Sequence, residues 1–262
     1  MLSLYINNNE GSYKKVNQQG NEVNVLLQPP ILLDKNKKYQ LRVLAANIVY
    51  CQPNITSANN KFIYKYNNVW YTKTLPTGIY GLTQINDTIS RINTAQHGHQ
   101  LFAFVANEAT STIIIYFSDP NTYIDCTTSG TIMPILGYGN STSDIGGYTT
   151  SFGYVQSTEQ AHLNTLQEIL IKCNITNGSY LNSEFSNIIC GISLNVSPFS
   201  TLIYSPIHPC RNSIYVNRID NINIQLVDQE GIALDFSNNG TQPVENWNIL
   251  ISIEPVEMQG LL

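Results

Sequence analysis

The sequence predicts an all-β protein: a single jelly-roll barrel or sandwich with inserted loops and one short helix. Three observations lead there. Short segments rich in Ile, Val, Leu, Tyr and Phe recur between turn-forming Asn, Gly and Pro. The clearest of them alternate apolar with polar residues, as a strand with one buried face requires. Helical spacing of apolar residues is scarce.

The first predicted strands lie at 23–27, 39–49 and 62–71, the last broken by Asn67 and Asn68 as a hairpin turn. A helix follows at 82–92, where Leu82, Ile85, Ile89 and Ile92 recur at intervals of three and four and share one face. Segments 100–105 and 112–117 flank a loop at 106–111. Their pairing as a second hairpin buries Phe102, Phe104, Ile113 and Ile115 in the right register. Between 137 and 153, five glycines among Ser, Thr and Tyr predict an exposed loop, a decorated tip inserted in the domain.

Strands at 166–173, 187–194, 214–216, 222–227 and 247–253 complete a second series. Ile222, Ile224 and Leu226 present one apolar face, as do Ile249, Ile251 and Ile253. Asp228-Gln229-Glu230-Gly231 supplies turn chemistry between them, which reads as a meander feeding one core. No repeat of fixed period and no Pro- or Ser-rich linker divides the chain, so the expectation is one domain over 1–262, with an exposed insertion at 137–154. Two small barrels are the alternative.

Hydrophobic residues make up 42% and charged residues 12%, enough for a core with a surface built on Asn, Ser, Thr and Gln. A net charge of -5 supplies no positive field for phosphates, which disfavours direct nucleic-acid binding. The start, MLSLYINNNEGSYKK, has no signal-peptide pattern, and no apolar run approaches the roughly 20 residues of a membrane span. Cys51, Cys126, Cys173, Cys190 and Cys210 stand alone in the sequence and read as reduced, mostly buried thiols. Asn-x-Ser/Thr sequons begin at Asn54, Asn86, Asn140, Asn174, Asn177, Asn195 and Asn239, as so Asn-rich a chain produces by chance.

Motifs with chemistry are few. His97-Gly98-His99 would share a face on a strand, as the cupin type of jelly roll uses His-x-His, but the later cupin ligands are missing: the next acid is Glu108 and the next His is His162. No nucleophile elbow and no phosphate-binding Gly-Lys-Ser/Thr loop occurs. Asp119, Asp125, Glu159 and Glu168 read as solvated loop acids. The expectation is therefore no enzyme, no cofactor and no metal. Tyr138, Tyr148 and Tyr154, in or beside the Gly-rich segment, are candidates for an attachment loop, since aromatic rings on polar loops stack on sugars or anchor a protein.

Two sets of ordered motifs carry a family resemblance. The first runs Leu26-Leu27-Gln28-Pro29-Pro30-Ile31, Pro53-Asn54-Ile55, Leu75-Pro76-Thr77-Gly78-Ile79-Tyr80 and Ile135-Leu136-Gly137-Tyr138. The second runs Ile171-Lys172-Cys173-Asn174-Ile175, Gly178-Ser179-Tyr180, Ser186-Asn187-Ile188-Ile189, Pro206-Ile207, Ile214-Tyr215-Val216-Asn217, the continuous stretch 222–231 and Leu234-Asp235-Phe236. In this order they resemble the penton, or minor capsid, proteins of the Polinton, virophage and adintovirus group. The chain departs from that pattern at 237–245, an insertion before the final strand. The resemblance implies an upright jelly roll in a homopentamer at five-fold vertices, beside a double-jelly-roll major capsid protein, in virions assembled in the host cell interior. It implies no catalysis. A host-attachment or carbohydrate-binding module, with a host-surface glycan or receptor as partner, is the alternative.

The ends are read as terminal arms, 1–9 and 255–262. Leu2, Leu4 and Ile6 alternate before the Asn7-Asn8-Asn9 break and suit addition to a neighbour's sheet edge, while Met258, Leu261 and Leu262 leave apolar side chains on a tail. These six are the candidate interface residues. The alternative has both ends folding back onto their own barrel.

Overall fold

The computed structural model of the chain describes residues 1–9, 11–139, 143–147, 153–163, 166–181, 183–197, 200–236 and 247–256. The chain forms two compact units, Met1–Gln52 with Leu166–Leu262, and Pro53–Thr165, each around its own apolar core. Two cores thus lie within the span read as one domain. Because the first unit is assembled from both ends of the chain, no single linker marks the boundary.

The first unit begins with β1 (Leu2–Asn7), β2 (Lys14–Val16), β3 (Glu22–Leu32) and β4 (Tyr39–Val49). The second contains β5 (Lys61–Tyr66), β6 (Val69–Thr74), α1 (Leu82–His97), β7 (Phe102–Asn107), β8 (Thr112–Phe117), β9 (Thr122–Ile124), β10 (Ile145–Gly146) and β11 (Gly153–Gln156). The chain then returns to the first unit with β12 (Glu168–Cys173), β13 (Ser179–Leu181), β14 (Glu184–Ser186), β15 (Ile188–Ser193), β16 (Thr201–Tyr204), β17 (Arg211–Ser213), β18 (Arg218–Asp228) and β19 (Trp247–Pro255). Every pairing between these strands is antiparallel, and the fold is all-β and jelly-roll-like, as the alternation predicts.

In the first unit one sheet runs β1-β19-β4-β16, with β17 also on β4, and the other runs β15-β12-β18-β3-β2. Both supply the same core. Ile249, Ile251 and Ile253 from β19 and Ile222, Ile224 and Leu226 from β18 all lie in it. The two strands are nevertheless not neighbours in a meander: β18 pairs with β3 and β12, β19 with β1 and β4. Alternation identifies which face of a strand is apolar but not which strand lies beside it. The turn between them is as expected. Gly231 takes φ 86°, its N–H donates to the Asp228 carbonyl at 3.0 Å, and the Asp228 carboxylate accepts from Glu230 and Ile232 N–H groups.

Two irregularities keep the faces in phase. On β4 the buried residues shift from Leu41 and Val43 to Ala46 and Ile48, because Leu44 is an extra residue opposite the Leu250/Ile251 step. A bulge of this kind re-aims a strand without changing its partner. On β3, Leu26 pairs Asn221 and Ile31 pairs Ile219, so 27–30 bulge out of the ladder. That is how a strand with Pro29 and Pro30 inside it stays in a sheet, since proline has no N–H to give. The segment 214–216, read as a strand, forms only a bridge from Ile214 to Thr176; the strand there is β17, three residues earlier.

In the second unit the sheets are β10-β9-β5-β6 and β11-β8-β7. Asn67 and Asn68 both take positive φ, 48° and 64°, as the two-residue turn of a hairpin requires. Phe102 pairs Phe117 and Phe104 pairs Ile115, so the predicted register holds and Phe102, Phe104, Ile113 and Ile115 are all buried. Helix α1 buries Ile85 and Ile89, with Leu82 packed beside them. It runs five residues past the predicted end, to His97, where Gly98 adopts φ 81° and donates its N–H to the Thr94 carbonyl.

Candidate interaction surfaces

The histidine pair occupies the end of α1, not a strand, so the face-sharing of a His-x-His ligand set does not arise. His97 Nε2 lies 3.0 Å from the Tyr64 hydroxyl, and its ring meets the rings of Tyr64, Tyr66 and Tyr71 edge-on. Burial, then the neighbouring His99 and Lys73, lower the His97 pKa, which keeps the ring neutral at pH 7. His99 Nδ1 lies 3.1 Å from the His97 carbonyl oxygen. Among the described residues no three His, Cys, Asp or Glu side chains converge as metal ligands. The arrangement is that of a packed aromatic corner.

The acids are similarly placed. Burial pushes the Asp125 carboxyl up, but hydrogen bonds from Thr128 and Thr127 outweigh it and leave the group below the usual carboxylate range. Asp119 accepts from the Asn121 N–H in a turn. All five cysteines are free thiols, with only Cys210 exposed. No helix of the described residues is long and apolar enough to cross a membrane.

Of the expected interface residues, Leu2, Leu4 and Ile6 do not form a detached arm. The segment is strand β1, paired from Leu2↔Ile253 to Asn7↔Asn248, with Ile6 buried and Leu4 packed on the core. The alternation read as suited to a neighbour's edge is satisfied by the chain's own β19. Among the described residues no strand pairs with the other side of β1, the outermost strand of its sheet. On β1, Leu2 and Tyr5 are exposed, as is Met1 before it. At the other end, Pro255 pairs Tyr39 and the Val256 N–H donates to the Lys38 carbonyl, so the expected arm does not begin at 255. Met258, Leu261 and Leu262 lie outside the described residues.

The attachment candidates separate. Tyr138 is 1% exposed, and its hydroxyl donates to the Ile113 and Val155 carbonyls at 2.8 and 2.9 Å, so it is a core residue. Gly137, in front of it, takes φ 84° with the Glu159 carbonyl only 2.3 Å from where a Cβ would stand, which is why the Gly-Tyr step occurs. The segment 137–154 is thus no uniformly exposed tip: Ile145 and Gly146 form β10 against β9, while Gly139, Ser143, Asp144 and Tyr154 face solvent. Tyr148 lies outside the described residues. Tyr154 is exposed, its ring 5.8 Å from that of Tyr116 across the β11–β8 pair.

Composition alone misses two apolar surfaces. On the outer face of β7-β8-β11, Val105, Tyr116 and Tyr154 are exposed in adjacent pleat rows. In the first unit, Tyr180 and Phe185 pair across the β13–β14 hairpin, 70% and 64% exposed, with rings edge-to-face at 5.8 Å. Phe185 borders two open grooves, one reaching the Glu230-Gly231 turn and the other reaching Tyr215. The detectable signal was two aromatics five residues apart, Tyr180 and Phe185, with Ser183 between them at φ 72°.

The motifs quoted above have local physical causes. Asn54 is buried; its amide donates to the Tyr80 and Leu163 carbonyls at 2.8 and 2.7 Å and accepts from the Tyr80 N–H. Ile55 bridges Gly78, and the Tyr80 hydroxyl donates to the Pro76 carbonyl. Asn174 likewise accepts from the Asn223 N–H at 2.8 Å, and Tyr215 donates to the Asn174 carbonyl at 2.7 Å. Each motif is a side chain pinning a distant backbone segment.

No family model matches the chain, and no curated protein matches it. Among solved structures it is similar to the penton protein of mavirus, with a TM-score of 0.50 and 13% identity, over 97% of this chain and 99% of that one. The chain therefore has a penton-like fold.

Proposed function

We propose that this chain is a non-catalytic capsid structural protein of the penton type, forming homopentamers at icosahedral five-fold vertices of a virion. The observation that carries this reading is the extent of the fold likeness, which spans nearly the whole of both chains and so takes in both units. A low-charge surface and exposed apolar residues on strand edges suit side-by-side packing of copies and of a double-jelly-roll major capsid neighbour. Five free thiols fit assembly in the reducing interior of a host cell. The tail residues Met258, Leu261 and Leu262 and the open side of β1 are the proposed shell contacts. The test is the mass and symmetry of the purified full chain, by native mass spectrometry and electron microscopy. Closed five-fold rings support the reading; a stable ring of another order, or absence of the protein from five-fold vertices in a particle reconstruction, rejects it.

A second reading rests on the exposed Tyr116–Tyr154 pair: a platform for a host-surface glycan on the same vertex protein. A glycan array of the intact protein against Tyr154→Ala decides it, with binding that is absent or unaffected by the substitution removing the support.

A further inference from the structure

Cys190 and Cys210 are twenty positions apart in sequence, yet the fold of the first unit brings them together. Cys190 sits on β15, the outermost strand of one sheet; Cys210 immediately precedes β17, at the edge of the other. The Asn212 amide donates to the carbonyl of Ile189, the neighbour of Cys190, at 2.8 Å. Cys210 is two residues before Asn212, immediately ahead of the start of β17. Tyr204 of β16 lies near both thiols, and the thiols lie near each other, close enough to act on one another's titration. A buried and an exposed thiol meeting at one sandwich edge is not required by packing, since either position takes a small apolar or polar residue.

We propose that Cys190 and Cys210 form an intrachain disulfide when the protein meets a disulfide oxidant such as oxidised glutathione, covalently joining the two sheets along one edge. The exposed Cys210, as thiolate, attacks one glutathione sulfur and releases a reduced glutathione. Cys190 then loses its proton and attacks Cys210 Sγ, expelling the second glutathione. Two thiols are oxidised, the two electrons pass to glutathione, and the two protons end on its thiols. Burial pushes the Cys190 thiol up to about 11, so the second step accelerates as pH rises. Such a bond is absent during synthesis in a reducing compartment and forms on exposure to an oxidising one.

The experiment treats the folded full chain with oxidised glutathione and maps peptides without reduction. A Cys190–Cys210 linked peptide is expected, with a rise in Tm of roughly 5 °C that dithiothreitol reverses. Cys210→Ser is expected to abolish both while keeping the Tm of the reduced protein. A persistent glutathione adduct on Cys210 with Cys190 still free, or disulfide-linked dimers through Cys210, overturns the proposal. Neither outcome depends on whether the protein forms pentamers.

Discussion

The Trp247 indole N–H donates to the Gly20 carbonyl at 2.7 Å, and that single contact ties the start of the last strand to the turn before β3. Asn8 completes the joint: it is fully buried, its amide donates to the same carbonyl at 3.3 Å, and its side-chain oxygen accepts the Trp247 backbone N–H. Trp247→Phe keeps most of the apolar volume but loses the indole donor and leaves a small void. A destabilisation of about 2 kcal/mol is expected in denaturant unfolding of the first unit. A change within about 0.5 kcal/mol would show that Asn8 alone satisfies Gly20.

The Arg42 guanidinium lies 2.6 Å from the Glu254 carboxylate across the β4–β19 pair, with both side chains partly buried, and Gln40 adds a second donor at 3.0 Å. Arg42 first, opposed by burial and helped by Gln40, holds the Glu254 carboxyl below its ordinary 4.5. A depressed carboxyl contributes stability that is complete above the unfolded value and is lost as pH falls through the folded one. Urea midpoints measured downward from pH 5 should therefore fall more steeply for the native chain than for Glu254→Gln. Parallel curves would remove the pair from the acid response.

Asn54 makes three hydrogen bonds from a buried site, and truncating it leaves the Tyr80 N–H and two carbonyls without that partner. Asn54→Ala is expected to cost about 2–4 kcal/mol in the second unit. Tyr138→Phe, which removes one hydroxyl serving two carbonyls, should cost about 1–2 kcal/mol. If Tyr138→Phe instead leaves unfolding unchanged but alters glycan binding, the residue acts at the surface after all.

Much of this architecture could be read before any coordinates. The period-two faces of β18 and β19, the Asn67-Asn68 turn and the Phe102 to Phe117 register are local properties, decided by alternation and by residues that tolerate positive φ. Partner choice is not local. Nothing near Ile249 says that it lies beside Ala46 and Ile6, or that Leu44 must bulge to keep Ile48 in the core. Three-residue strands such as β2, β13 and β17 are too short for any period to show. Of the candidate sites, Tyr154 was legible as an aromatic on a polar segment, but Tyr138 in the same composition is buried, because Gly137 turns it inward against Ile113 and Val155. The Tyr180–Phe185 pair depends on hairpin register and on what lies beside it, which composition does not contain.

Strand β1 holds two roles that substitution can separate. Ile6 faces inward at 3% exposure, while Tyr5 stands 61% exposed on a strand whose far side no described strand pairs. Ile6→Ala removes buried apolar surface where β1 meets the core, so the purified protein should lose about 2–4 kcal/mol of stability. Tyr5→Lys places a charge on the open face without touching the core, and exposed substitutions of this kind stay within about 0.5 kcal/mol. Its expected effect is on assembly: a charged edge resists docking, so fewer copies enter rings or particles at matched concentration. Native mass spectrometry alongside thermal unfolding reads both properties from one preparation. If Tyr5→Lys assembles like the parent while Ile6→Ala alone lowers recovery, β1 serves only to close its own sheet, and the proposed contact through its open side is wrong.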